Sequence, residues 1–151
     1  MTWHERRLAG MLTVAAVLAL STAACSNPEG RHESPDAALQ VRLVIPDGHI
    51  REPEATCSGA DAYRDVHPEV PFTVEDSAGQ RVVSGSLPHG RAEEAVTLDV
   101  GDDPQPTICV MTLDLPGLDS VDDHVLIIDG RDPAPITRNP KLDDQPEVVL
   151  P

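Results

Sequence analysis

Apolar side chains in this chain recur at every second position, and past residue 25 no stretch of eleven residues holds the 3.6-residue spacing of a helix. That alternation is the pattern of a strand with one face buried. Leu39, Val41, Leu43 and Ile45 alternate with Gln40, Arg42 and Val44 until Pro46-Asp47-Gly48 ends the run. Val70, Phe72 and Val74 alternate with Pro71, Thr73 and Glu75. Asp76-Ser77-Ala78-Gly79 then reads as a turn into Arg81-Val82-Val83, with Gly79 able to take positive φ. Pro71 has no N–H to give a ladder, so its strand lies at an edge or begins there.

Further along, Val96, Leu98 and Val100 predict a strand stopped by Gly101-Asp102-Asp103-Pro104. Thr107 to Leu115 is the longest alternating segment, with Cys109, Met111, Leu113 and Leu115 on one side. Val125-Leu126-Ile127-Ile128 is a continuous apolar run, suited to a central strand covered on both faces. Val148-Val149-Leu150 predicts a last short strand. Residues 130–147 hold four prolines and read as an irregular connection. Arg91 to Ala95 reads as one helical turn at most. About seven short strands separated by turn signals predict an all-β chain, an immunoglobulin-like or related β-sandwich. Its core has to be aliphatic, because Trp3, Tyr63 and Phe72 are the only aromatic residues in the 151.

The first 25 residues read as an address. Met1 to Arg7 carries Arg6 and Arg7, Leu8 to Leu20 is uncharged and mostly apolar, and Ser21 to Ala24 are small or polar. Charged start, apolar middle and small-residue exit are the parts of a secretory signal peptide. The apolar run falls short of the roughly 20 residues that span a bilayer as a helix. His4-Glu5 and Leu8-Ala9 fit a twin-arginine signal poorly, so general secretion is expected. Ser21-Thr22-Ala23 has the form of an ordinary cleavage site, which would release a soluble protein. Thr22-Ala23-Ala24-Cys25 resembles the lipobox of bacterial lipoproteins, departing from it at Thr22, where an aliphatic residue is usual. That resemblance implies acyl chains on Cys25, and two or more chains make a stable anchor.

Cysteine arithmetic bears on the choice. The chain has three cysteines, Cys25, Cys57 and Cys109, and an odd cysteine in an exported protein needs an explanation. Lipidation of Cys25 leaves Cys57 and Cys109 to form one disulfide in an oxidising compartment. No C-x-x-C spacing points to a redox pair. The chain then divides into a signal peptide (1–24), lipidated Cys25 with a Pro- and Gly-bearing flexible tether (25–37), and one β-domain (38–151). Ser26 to Ala37, fully extended, would reach about 40 Å.

Charge excludes whole classes of function. From Cys25 onward there are nine Lys and Arg against 25 Asp and Glu, a formal charge of −16. A nucleic-acid partner needs the opposite sign. The membrane is expected as a partner through the lipid anchor, and an envelope protein or ligand partner is left without a name.

Chemical signatures are sparse. Asp102-Asp103, Asp122-Asp123 and Asp143-Asp144 recur, with Asp114, Asp119, Asp129 and Asp132 near them. They lack the D-x-[DN]-x-[DN]-G spacing of a calcium loop, and solvated turns on an acidic exported protein account for them. His32, His49, His67, His89 and His124 are scattered without metal-ligand spacing. There is no G-x-S-x-G, no G-x-G-x-x-G and no Walker loop, so no catalytic residue, metal site or cofactor is assigned. The sequence therefore points to a non-catalytic binding or interaction module of the cell envelope. The alternative is a secreted enzyme or calcium-binding domain that uses the dispersed acids.

Cys57-Ser58-Gly59, Tyr63-Arg64-Asp65-Val66, Phe72 to Asp76 with Gly79, Val83 with Gly85 and Leu87, and Cys109-Val110 form a series of landmarks. Over residues 57–110 the chain resembles a group of small lipoproteins and secreted β-domain proteins of actinobacteria. The likeness departs after Cys109, where that group has aromatics and this chain has Met111-Thr112-Leu113. It implies an exported β-domain and no particular activity. Between the first cysteine and the hairpin, Tyr63 and Asp65 are the candidate loop site. Tyr63 is either an exposed contact residue or a plug over the aliphatic core with its hydroxyl satisfied nearby. In the second case Asp65 is expected to bond the loop's own amides.

Overall fold

Alternation places Val41, Leu43 and Ile45 on one face of the first strand, and the fold is built outward from it. The computed structural model describes residues 38–96, 103 and 105–151. In it β1 spans Leu39–Ile45, and Val41, Leu43 and Ile45 are fully buried. On one side β1 pairs antiparallel with β6 (Thr107–Leu115), from Leu39 opposite Leu115 to Ile45 opposite Cys109. On its other side it pairs parallel with β10 (Gln145–Val149), with Arg42 opposite Glu147.

The remaining strands are β2 (Thr56–Cys57), β3 (Pro71–Glu75), β4 (Arg81–Ser86), β5 (Gly90–Glu94), β7 (Val125–Ile128), β8 (Ala134–Pro135) and β9 (Thr137–Asn139). They form a six-stranded sheet in the order β2-β5-β6-β1-β10-β9 and a four-stranded sheet in the order β4-β3-β7-β8. The fold is an all-β sandwich whose core joins Val41, Leu43, Met111 and Leu113 of one sheet to Phe72, Val74, Leu126 and Ile128 of the other. Apart from the strands, the described residues hold one 3-10 turn, Asp61–Tyr63.

The β3–β4 hairpin forms where the sequence places it. Gly79 sits at φ 73°, and the Asp76 carboxylate accepts the N–H groups of Ala78 and Gln80 at 2.9 Å each. Pro71 is the first residue of β3, an inner strand between β4 and β7, so the missing N–H falls at a strand end and not along an edge.

Several expectations are corrected. The described residues hold ten strands where about seven are expected. Arg91 to Ala95 is no helical turn: Gly90–Glu94 is β5, held in register by β6 with Ala92 opposite Cys109. The stretch 130–147 is not irregular throughout, because β8, β9 and the start of β10 lie in it. Its prolines are accommodated at short strands and strand ends, where a ladder donor is not missed. β7 is a central strand, but only Leu126 and Ile128 are buried, while Val125 and Ile127 are half-buried. A two-sheet stack covers one face of each sheet, and the opposite face of β7 stays partly open. The expected signal peptide, Cys25 and tether lie outside the described residues, as do Leu98, Val100 and Asp102.

Cys57 and Cys109 form a disulfide with a Cα–Cα distance of 5.8 Å. It fastens the edge strand β2 to β6 across β5. Gly90 makes room for it: a Cβ there would lie 2.5 Å from Cys109 Sγ and 3.0 Å from Cys57 Sγ. The bond closes a loop with a sequence separation of 52, for which chain entropy gives about 4 kcal/mol. Cys57→Ala should therefore lower the unfolding free energy in denaturant by about 4 kcal/mol. A loss below about 1 kcal/mol would show that the cross-link contributes little. Gly90→Ala should also be destabilising, since its methyl group meets both sulfurs.

Candidate functional site

The Tyr63–Asp65 loop is held by its own segment, by Arg131 and by Pro151. Gly59 N–H donates to Val66 C=O at 2.8 Å, and Val66 N–H donates to Tyr63 C=O at 2.8 Å. Gly59 is required there, because a Cβ would collide with the Tyr63 carbonyl oxygen. Val66 is fully buried, and the half-buried Tyr63 packs against the core cluster. The Tyr63 hydroxyl donates to Pro151 C=O at 3.0 Å. The Arg131 guanidinium lies 5.1 Å from the Tyr63 ring centroid, within cation–π range.

Arg131 also forks onto Asp65, with Nε to Oδ2 at 2.6 Å and one terminal nitrogen to Oδ1 at 2.8 Å, and it donates to Ala62 C=O at 2.8 Å. The hydrogen bonds from Arg131 hold the Asp65 carboxyl below its usual range, and Asp65 in turn holds the Arg131 proton more firmly. The expected bonding of Asp65 to its own loop is thus largely replaced by a partner from the β7–β8 connection. Tyr63 and Asp65 spend their polar groups on joining a loop, that connection and the last residue.

A second cluster lies where the chain leaves β1. The Asp47 side chain is completely buried. Arg51 forks onto it, at 2.9 Å to Oδ1 and 2.6 Å to Oδ2. Arg51 also donates to Thr107 Oγ1 and Ser58 C=O at 3.3 Å each, while the Thr107 hydroxyl donates to His49 C=O at 2.7 Å. Burial pushes the Asp47 carboxyl up, but Arg51 and the N–H groups of His49 and Ala60 outweigh it and hold it below its usual range. These bonds fix the segment between β1 and the disulfide.

Open surface lies on the outer face of the six-stranded sheet. Arg42 of β1 reaches across β6 to Glu93 of β5 at 2.5 Å and lies 3.5 Å from Glu147 of β10. Its side chain is only 12% exposed, so this charge is largely desolvated and paired. Beside it opens a cleft of about 580 Å³, lined by Val44, Ile108, Val149, Leu142 and the acids Glu93 and Glu147. Val96, Leu142 and Val149, at its rim, are three of the five large apolar residues exposed among the described ones. A sheet face with an apolar floor, apolar rim and a satisfied ion-paired centre can hold a ligand or partner by contact area. The sequence signal for it is weak, since its residues come from β1, β5, β6, β10 and the turn after β9.

The acidic residues are dispersed. Asp122 pairs with Arg138 at 3.1 Å and accepts the Ser120 hydroxyl at 2.7 Å. Asp114 accepts from the Gln40 amide at 3.0 Å. Asp123, Asp143 and Asp144 take positive φ in turns, a conformation that aspartate tolerates better than most residues. The histidines are equally separate: the His49 ring lies 3.3 Å from Asp61, and His67 and His124 face the carbonyls of Pro68 and Asp122. Among the described residues no three His, Cys, Asp or Glu side chains gather as metal ligands would.

A carboxyl whose folded pKa is lowered stabilises the fold above its ordinary pKa and loses that contribution as pH falls through the folded value. Stability from Asp47 should therefore be intact at neutral pH and lost below about pH 4. Asp47→Asn should cost about 3 kcal/mol at neutral pH, since it leaves Arg51 without its counter-charge, and should flatten the acid limb of a stability–pH curve. For the loop, Tyr63→Ala should cost about 3 kcal/mol and Asp65→Ala about 1 kcal/mol in thermal or denaturant melts. If both loop variants melt like the parent, Tyr63 is a contact residue and not a plug.

Comparison with protein-family models, with curated proteins and with solved structures finds no match to this chain.

Proposed function

We propose that this chain is an exported lipoprotein, held in the membrane by acyl chains on Cys25 and carrying its β-sandwich outside the cytoplasm as a non-catalytic binding module. The disulfide carries the reading. It takes Cys57 and Cys109 and leaves Cys25, which follows an apolar run and Thr22-Ala23-Ala24, as the odd cysteine. A cross-link of this kind suits a chain that matures in an oxidising compartment. Residues 25–37 then act as a tether that lifts the domain off the headgroups. The outer cleft beside Arg42 is the contact face that fits a binding role, because it combines apolar area with an ion-paired centre and the charges of Glu94 and Lys141 in its lining.

Cys25→Ser tests the anchor directly. The variant should leave the membrane fraction, or accumulate unprocessed, while Cys57 and Cys109 stay linked in non-reducing peptide maps. Unchanged processing together with full membrane retention would overturn the proposal. Calcium separates the binding reading from a calcium-dependent one: millimolar calcium should leave the melting temperature of the exported domain unchanged. A marked rise on adding the ion would favour the dispersed acids as a site.

A further inference from the structure

A sheet edge presents unpaired N–H and C=O groups, and proteins guard such edges with short strands, prolines or charges. The two sheets here have four edges. β2 has two residues, β8 has two and ends in Pro135, and β9 has three and runs into Pro140. β4 is different. It is six residues long, Arg81–Ser86, and has no proline; its guards, the Arg81 charge and a bulge that leaves Val82 without a β3 partner, sit at its first end, while Val83 to Ser86 pair regularly with β3.

The direction of its main-chain groups can be worked out. Leu87 N–H donates to Val70 C=O at 2.9 Å just beyond the strand. The register then runs Phe72 opposite Gly85 and Val74 opposite Val83. Antiparallel ladders alternate bonded and non-bonded pairs, so Gly85 and Val83 bond toward β3. The N–H and C=O groups of Ser84 and Ser86 point to the open side, where β4 has no neighbouring strand among the described residues. A groove of about 290 Å³ borders the strand, lined by Ser84, Gly85 and Ser86 together with Thr112 and Asp114 of β6.

The geometry points to a second copy of this chain as the occupant, paired antiparallel through β4 about a two-fold axis at Ser84. Charge is the first argument. The chain has 26 acidic residues, yet Ser77 to Ala92 contains none and carries Arg81, His89 and Arg91. It is a stretch where two such acidic molecules meet through strands that carry no carboxylate of their own, with Asp114 of the groove wall beside them. Self-complementarity is the second. With the axis at Ser84, each Ser84 faces its own copy and exchanges both main-chain bonds. Gly85 falls opposite Val83, Ser86 falls opposite the bulged Val82, and Arg81, the one charge in the strand, lies beyond the bulge and not opposite another Arg81. An isologous interface needs this kind of match with itself. Gly85 adds no side chain at the seam, since the Phe72 ring of its own sandwich occupies the place of its Cβ, at 2.9 Å.

Cysteine cross-linking on the full-length chain in its native membrane tests the proposal. Ser84→Cys should give a covalent dimer on a non-reducing gel, since directly opposed strand residues lie within disulfide reach. Ser77→Cys, equally exposed in the hairpin turn, should give at least tenfold less. Adding Ser86→Pro to Ser84→Cys should abolish the dimer, because it removes an outward N–H that the β3 ladder does not use. Retention of the Cys57–Cys109 peptide in that double variant shows that it has folded. Equal dimer yields from Ser77→Cys and Ser84→Cys, or an adduct of Ser84→Cys with a different protein in place of the dimer, would overturn the proposal.

Discussion

Everything in this domain rests on β1 being hydrogen-bonded along both sides. One side carries the long antiparallel ladder to β6, and the other the parallel ladder to β10. The inner residues Val41, Leu43 and Ile45 are fully buried and define the middle of the core. The outer residues of the same strand, Arg42 and Val44, build the ion-paired centre and the apolar floor of the cleft. Core and candidate contact face are thus two sides of one strand, and a period of two separates them. The parallel pairing also brings the last residues alongside β1, with Leu150 N–H donating to Val44 C=O at 3.0 Å. That leaves the Pro151 carbonyl where the Tyr63 hydroxyl reaches it.

An aliphatic core sets the next constraint. Among the described residues Phe72 is the only buried aromatic, so the sandwich is filled by Val, Leu, Ile and Met side chains of modest area. Loops that a larger core would trap under aromatic rings are instead fixed by covalent and ionic ties. The disulfide ties the edge strand β2 to β6, the Asp47–Arg51 fork closes the loop after β1 on itself, and the Asp65–Arg131 fork joins two loops. All three have an end between β1 and β3, and the Asp47–Arg51 fork lies wholly there.

Much of the frame was legible in the sequence because alternation and turn chemistry are local. β1, the β3–β4 hairpin, β6 and β7 are all written in their own residues, and so was the pairing of Cys57 with Cys109. β5 was not, because Gly-Arg-Ala-Glu-Glu has one small apolar residue facing inward, and β6 and the disulfide impose its conformation. β8 and β9 were hidden by prolines that a short strand tolerates. The partner of Asp65 was out of reach, since Arg131 lies 66 residues away. The outer cleft gathers side chains from several strands, and nothing in any one segment marks it.

The claim that β1 holds the sandwich together is tested most directly by amide hydrogen exchange on the oxidised protein. Amides of Val41 to Ile45 and their β6 partners should be the slowest in the chain, exchanging only through global unfolding. Those of β8 and β9 should exchange orders of magnitude faster by local opening. If the β1 amides exchange as fast as those of the edge strands, β1 is not the element on which the fold depends.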